Sequence, residues 1–529
     1  MKQIFYPALI AFGIATLCLL AVVGPLISPS HTVIFHTSEP ALSLFATVLF
    51  DLFALWVVIT AALLLSKRPG RIQFMVRSAI AIALPLILLK NISMLAGFML
   101  PHWLSESVFC LSLATFVTLS IFWRPSFLPA FQRVQRFLAF IFGFAALNGI
   151  FIVGQLLWYG WQVHTLNAPI ALHQRSVDSA RNTAGPRVIW ILLDELSYQQ
   201  VYEQRFPGLK LPAFDAIAQQ STVFTHVVPT GEYTEEIIPS LMTGVPVDSI
   251  RVSSDGRRLS LHDSINGSWQ LFDPHQTVFQ DALNDGYTTA VAGWYNPYCR
   301  TLPQVLDRCI WSSQFLNAGD IVGGESLANN LRNQMAYGIR EIQSLVPGLH
   351  MISPLPALET ELHIKDYLDL RAATDRTLAD PDASFIFLHL PIPHPTGIYD
   401  RRKDILTTGQ SSYVDNLVLA DKYLAHVRDL LQQRGEWDSS AVVIMGDHSW
   451  RTSFVWSKME GWTPEDEAAS HGAQFDDRPA YLVKLPQQQQ GSRIDAPFKA
   501  IHTRSLLDAL IAGQLSTVDD LDGWAKRQK

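Results

Sequence analysis

The chain has 529 residues, 49% of them hydrophobic, and 40 Lys and Arg against 47 Asp and Glu give a formal net charge of −7. That mild acidity, without a long basic run, argues against a nucleic-acid partner. The hydrophobicity is concentrated in the first third, so a mean hydropathy of +0.17 describes neither half, and the length allows several domains.

Five apolar segments reach or approach the roughly 20 residues that cross a bilayer. They run about Phe5–Ile27, Ala41–Leu65, Ser78–Leu100, Ser107–Trp123 and Phe137–Tyr159. The first is too long for a signal peptide, lacks a clear small-residue cleavage site and is followed by four more. Lys2, then Lys67, Arg68, Arg71 and Arg77, then Arg124, Arg133 and Arg136 fall on one side of the spans, whereas the loops His31–Pro40 and Pro101–Glu106 carry no Lys or Arg. The positive-inside rule therefore predicts a cytoplasmic N-terminus, and five crossings deliver everything beyond residue 162 to the outside of the inner membrane. Asp51 and Lys90 lie at similar depth within spans. They read as a structural ion pair, with a lipid-headgroup contact for Lys90 as the alternative. Cys18 and Cys110 sit in apolar segments and read as small buried hydrophobes.

Residues 1–162 are thus a five-span transmembrane anchor, 163–185 a polar juxtamembrane linker and 186–529 an extracytoplasmic domain. In that domain apolar runs alternate with helical stretches. Val188–Leu193, Thr222–Val228, Thr288–Ala292, Ser384–Leu390, Ala441–Met445 and Ala480–Lys484 read as strands. Ala213–Gln220, a stretch around Pro239–Met242, Val278–Asn284, Tyr413–Gln433 and Thr503–Ala512 read as helices. Near-continuous apolar strands separated by helices predict a mostly parallel sheet between helices. Cys299 and Cys309 lie ten residues apart in the polar region; a local disulfide suits an oxidising compartment, and two free thiols are the alternative. Arg251–Gln276 and Gly319–Thr360 read as loops.

In a parallel sheet, ligands collect at the carboxyl ends of strands. Three of the runs end in ligand-type residues: Asp194-Glu195, His389 and Asp447-His448. Thr234 opens the helical stretch between them. A threonine hydroxyl is a poor nucleophile until a divalent cation lowers its pKa. Asp194, Glu195, Asp447, His448 and Thr234 itself are the candidate ligands for one such ion, and zinc and manganese both suit carboxylate plus imidazole. A helix N-terminus at Thr234 would aim N–H groups at a phosphate. His394 and His471 are candidates for contacting phosphate oxygens or protonating a leaving alcohol. Taken alone, Thr234 reads first as a helix N-cap with Glu235 and Glu236 favourable in the first turn; the ordered set with the strand ends is what favours the nucleophile reading.

As an ordered set these residues resemble the alkaline phosphatase superfamily, and within it the membrane-bound branch of the sulfatase-like group. The likeness covers about residues 185–515. Arg187–Glu195 resembles the opening strand, with Arg187 where the group often has Asn. Thr234-x-x-x-x-Pro239-Ser240-Leu241-Met242-Thr243-Gly244 is similar to the sulfatase nucleophile motif. His389 to His394 resembles the branch's His…Ser-His-Gly-Pro segment, with Pro393 and Pro395 as departures. Tyr413-Val414-Asp415-Asn416 with Asp421, Asp447-His448 and His471-Gly472 follow in the same order. A threonine nucleophile resembles phosphoethanolamine transferases and lipoteichoic acid synthases. The resemblance implies transfer of a phosphoryl-alcohol group from a phospholipid donor to an envelope glycan or lipid acceptor through a phosphothreonine at Thr234. A phosphate- or sulfate-ester hydrolase and a non-catalytic membrane scaffold are the competing readings. Threonine argues against a formylglycine sulfatase because it cannot be oxidised to that aldehyde.

Overall fold

The computed structural model describes residues 2–28, 32–37, 41–65, 83, 85–89, 91, 102–121, 128–166, 168–174, 185–314, 326–328, 330–332, 334, 358–459 and 461–528. The chain divides into two compact units. One is Met1–Asn167 with Leu316–Pro356, and the other is Ala168–Phe315 with Ala357–Lys529.

The first unit is helical. Lys2–Cys18 packs against Ala41–Leu65 and Leu128–Gln162. The approach to the last of these is close: a Cβ on Gly13 would stand 2.1 Å from the Phe142 carbonyl oxygen, so a larger residue does not fit. Trp56 Nε1 donates to the Ala8 carbonyl at 2.8 Å. Among the described residues two helical stretches, Leu42–Leu65 and Ala139–Gln162, are long and apolar enough to cross a membrane. The expected first span is instead two helices, Lys2–Cys18 and Leu20–Leu26. The expected fourth lies in His102–Ile121, of which Glu106–Thr115 is the apolar part. Most of Ser78–Leu100, and with it the pairing of Asp51 with Lys90, lies outside the described residues. Cys110 is exposed and Cys18 partly so, which corrects the expectation that both are buried.

Among its described residues the second unit has fifteen strands: β1 Val188–Leu193, β2 Thr222–Phe224, β3 Val227–Val228, β4 Val247–Val252, β5 Leu259–Asp263, β6 Ser268–Leu271, β7 Thr289–Trp294, β8 Arg308–Ser312, β9 Phe385–Leu390, β10 Tyr399–Asp400, β11 Ile405–Leu406, β12 Ala441–Met445, β13 Tyr481–Lys484, β14 Ser492–Ile494 and β15 Phe498–Lys499. Eight form one sheet in the order β14-β2-β13-β12-β1-β9-β7-β8. Pairings are parallel except those of β13 with β12 and with β2, so the sheet is mixed rather than uniformly parallel. The central strands are buried throughout, which is why they read as unbroken apolar runs.

Side chains alternate across the sheet. Val188, Trp190, Leu192, Phe385, Phe387, Val443 and Met445 face one core, closed by Thr234–Thr243, Val278–Asn284 and Thr503–Ile511. Helix Leu358–Ala379 packs against β7, β8 and β9, and against Tyr413–Gln433, without joining that core. Arg187, at the amino end of β1, pairs with Glu436 and donates Nε to the Ala383 carbonyl at 2.9 Å, tying the base of the sheet together. The stretch expected as the loop Arg251–Gln276 is largely a three-stranded antiparallel sheet, β4-β5-β6. Cys299 and Cys309 are joined by a disulfide, with Cα atoms 5.6 Å apart.

Candidate active site

Asp194 and Glu195 follow β1, Asp447 and His448 follow β12, and His389 is the penultimate residue of β9. Because β1 lies between β9 and β12, parallel to both, all three strand ends open on one edge. The register pairs Leu192 with both His389 and Met445, so the groups stand at one level.

The helix Thr234–Thr243 brings the hydroxyl to that edge. Tyr233, in extended conformation, is its N-cap and makes no side-chain cap. Thr234 is therefore not the N-cap but the first helical residue, and its hydroxyl turns to the strand ends instead. The rest of the motif fixes the helix at its other end. Ser240 Oγ accepts from Val247 N–H at 2.9 Å, and Gly244 takes a left-handed conformation, φ 72°, with its N–H on the Ser240 carbonyl at 2.8 Å.

Thr234 Oγ1 lies 2.7 Å from Asp447 Oδ2, 3.2 Å from Asp194 Oδ2 and 3.5 Å from His448 Nε2. One hydroxyl proton faces two buried carboxylates and satisfies only one at a time. Asp194 Oδ1 is buried with no hydrogen-bond partner. Burial first, and then the charge of Asp447, push the Asp194 carboxyl well above its ordinary range. Burial acts the same way on Asp447, but His448, His389 and the Thr234 hydroxyl outweigh it and hold that carboxyl low. Two carboxylates this close share a proton unless a cation replaces it. Asp194, Asp447 and His448 each offer a ligand atom within 4.8 Å of the others. The orphaned oxygen, the doubled negative charge and the imidazole nitrogen fit a divalent cation bound alongside Thr234 Oγ1.

Glu195 is placed differently. It sits in a left-handed conformation, φ 62°, and its N–H donates to Asp447 Oδ1 at 3.1 Å. Its carboxylate accepts from Arg451 Nε at 2.8 Å and from Trp456 Nε1 at 2.8 and 2.9 Å. One of its oxygens also lies within 4.8 Å of ligand atoms of Asp194 and His394. Arg451 further donates to the Glu232 carbonyl at 3.2 Å, which ties the loop before Thr234 to the same ion pair.

His394 is buried among Trp294, His363 and Trp456, with ring centroids 5.2, 5.8 and 5.1 Å away. Burial, with His363 and Arg451 nearby, drives its pKa far below the ordinary value, so the ring is neutral. Asn416 holds its loop: Nδ2 donates to the His394 carbonyl at 2.9 Å, and Oδ1 accepts from Ile398 N–H at 2.8 Å. Asp415 caps its own helix with Ser412, and Asp421 accepts from Phe214 N–H at 2.9 Å; both are structural. His471 is not brought into the cluster. It is exposed, with φ 51°, just beyond the short helix Pro464–Ala469. Residues not singled out in the sequence stand close in: Arg451, Trp456, and Tyr298, whose hydroxyl bonds His389 Nδ1 at 2.7 Å while His389 Nε2 lies 3.5 Å from Asp194.

An α/β domain that sets a threonine hydroxyl between two strand-end aspartates, in a cluster that could hold a metal ion, suits an enzyme of the sulfatase-like class. The sulfatase family model matches residues 186–486, more than half of the chain, and the chain belongs to that family. Comparison with curated proteins gives no match. Similar solved structures include the lipoteichoic acid synthase LtaP of Listeria monocytogenes, at 14% identity over 64% of this chain and 75% of that one, TM-score 0.34. A phosphonate monoester hydrolase of Agrobacterium radiobacter has 14% identity over 64% and 77%, TM-score 0.38. An alkaline phosphatase superfamily protein of Vibrio parahaemolyticus has 14% over 65% and 72%, TM-score 0.34.

Proposed function

We propose that the chain is a membrane-bound transferase that moves a phosphoryl-alcohol group, of the phosphoethanolamine or phosphoglycerol type, from a phospholipid to an envelope glycan or lipid. The observation that carries this reading is the placement of Thr234 Oγ1 against Asp447 and Asp194 at the first residue of a helix. Asp194, Asp447, His448 and Thr234 would hold one divalent cation, zinc or manganese, whose charge makes the hydroxyl more acidic. Thr234 Oγ1 attacks the phosphodiester phosphorus, the bond to the glycerol oxygen breaks, and the proton lost by Thr234 is finally carried by the diacylglycerol that leaves. An acceptor hydroxyl then attacks the phosphothreonine, and its proton returns to Thr234. The neutral His394 ring suits a donor to a phosphoryl oxygen better than an acid for the leaving alcohol.

A lipid donor accords with the apolar helices of the first unit. On this reading the chain crosses the inner membrane five times and carries its second unit on the outer, periplasmic side. The full chain in liposomes containing phosphatidylethanolamine or phosphatidylglycerol, with manganese or zinc, is expected to release diacylglycerol. Label passing to an acceptor marks a transferase, and label passing only to water marks a hydrolase. No release with either metal sinks the proposal in favour of a scaffold. Thr234→Ala is expected to lower turnover at least a thousandfold while folding and insertion are kept, and near-normal turnover would refute the mechanism.

A further inference from the structure

Gly293 and His389 sit opposite each other on β7 and β9. Just past β7 the chain turns back through Tyr295, left-handed at φ 67°, and lays the Tyr298 ring over Gly293. A Cβ on Gly293 would stand 2.3 Å from Tyr298 Cε2, so only glycine leaves room for that ring. Tyr298 and His389 are both buried, and Tyr298 Oη meets His389 Nδ1 at 2.7 Å.

The direction of this bond decides what His389 can do. The Asn296 side-chain amide turns one N–H to the Tyr298 oxygen and donates to the Thr234 carbonyl at 3.5 Å. Turning the amide over would set its oxygen against that carbonyl. Were His389 Nδ1 also a donor to Tyr298, the buried Tyr298 proton would be left without an acceptor, which is costly. Tyr298 O–H therefore donates to Nδ1, and the proton of the imidazole is on Nε2. Nε2 is buried without a hydrogen-bond partner, 3.5 Å from Asp194 Oδ2.

We propose that Asn296 and Tyr298 fix His389 as its Nε2–H tautomer, and that His389 is a positioning residue, offering this proton to Asp194 rather than a lone pair to a cation. Its place at a strand end suits a ligand. A protonated Nε2 has no lone pair, however, and Tyr298 occupies the other nitrogen. A donor beside Oδ2 steadies the carboxylate and leaves Oδ1, which has no partner, to the cation; this part rests on the metal-dependent reading above.

The tautomer is read first, without metal. Nitrogen-15 NMR of the full chain in liposomes, labelled at histidine, is compared with His389→Gln to isolate this ring. Nε2 is expected to carry the proton and Nδ1 to be bare. Tyr298→Phe, which keeps a ring over Gly293, is expected to lose that preference. A proton on Nδ1 in the parent overturns the inference. Calorimetric titration with zinc follows. His389→Ala and Tyr298→Phe are each expected to weaken binding about tenfold. His389→Gln, with an amide N–H in place of Nε2–H, is expected to stay within about threefold of the parent. A ligating His389 gives the reverse order: Tyr298→Phe binds as tightly as the parent, and His389→Gln as poorly as His389→Ala. That pattern, or parent affinity in every folded variant, overturns the inference. Thermal unfolding checks each variant, and the parent's NMR assignment with Tyr298→Phe decides the matter if His389→Ala does not fold. A parent that binds neither zinc nor manganese but carries its proton on Nε2 removes the metal reading and leaves the tautomer standing. Metal binding with the proton on Nδ1 does the reverse.

Discussion

Arg451 is the residue that decides what Glu195 does. Its guanidinium is buried, and Glu195 is fully enclosed. Arg451 and Trp456 engage both Glu195 oxygens, whereas one oxygen of Asp194 is unmet, which supports the proposal that Asp194 is the main metal ligand. Breaking a buried pair from one side strands a charge and costs about 3–5 kcal/mol, whereas removing both charges is far milder. Arg451→Met is therefore expected to destabilise the fold by about that much, and adding Glu195→Gln in the same chain to recover part of the loss; equal melting of the single and double variants would refute the pairing. Isothermal titration with zinc or manganese supplies the companion measurement: Asp194→Asn is expected to lose high-affinity binding and Glu195→Gln to retain it. The adjacent carboxylates were visible in the sequence. The Arg451 pairing that sets Glu195 apart was not, because it depends on a side chain more than 250 positions away.

Helices Val278–Asn284 and Thr503–Ile511 meet through a small charge cluster that makes this contact pH-sensitive. Arg504 holds Asp281 at 2.8 Å and lies 3.8 Å from Asp508. Burial, and then the charge of Asp281, push the Asp508 carboxyl up to about 7 from an ordinary 3.8. The folded chain thus keeps a proton that the unfolded chain releases from about pH 4 upward, so stability falls as pH rises through this window and levels off above 7. Asp508→Asn removes the penalty. Its melting temperature is expected to match the parent near pH 4 and to exceed it at pH 8; a constant difference across that range would count against the cluster. The same scale shows what the sequence conceals. Buried central strands announce themselves as apolar runs, and the helix of Tyr413–Gln433 by its apolar face. The three-stranded sheet does not, because β4 to β6 mix buried with exposed positions and β6 is largely exposed. Leu358–Ala379 was missed from the opposite cause: it buries His363, Asp366 and Thr374, which blurs the apolar stripe. Val518–Arg527 did carry a start signal, a capping box between Thr517 and Asp520, ahead of an acidic and glycine-containing stretch. The single expected strand Thr222–Val228 is two, β2 and β3, in different sheets.

For the whole molecule the number of crossings decides on which side the catalytic unit works, and parity makes that testable. Two spans alone, Leu42–Leu65 and Ala139–Gln162, would return the chain to the side it began on, whereas five leave its ends on opposite sides. The loop charges favour a cytoplasmic start: Lys67, Arg68, Arg71 and Arg77 would share a side with Lys2, Arg124, Arg133 and Arg136. The Cys299–Cys309 disulfide speaks for an oxidising compartment around the second unit without any reference to hydropathy. Epitope tags at the two termini are accordingly expected to respond in opposite ways to protease. In right-side-out vesicles the C-terminal tag is removed and the N-terminal one survives, and in inside-out vesicles the pattern reverses. Cys299 and Cys309 are expected to resist alkylation in both preparations until a reductant is added. Two tags cleaved from the same side would mean an even number of crossings, and cleavage of both in inside-out vesicles would place the Thr234 site where no envelope acceptor can reach it.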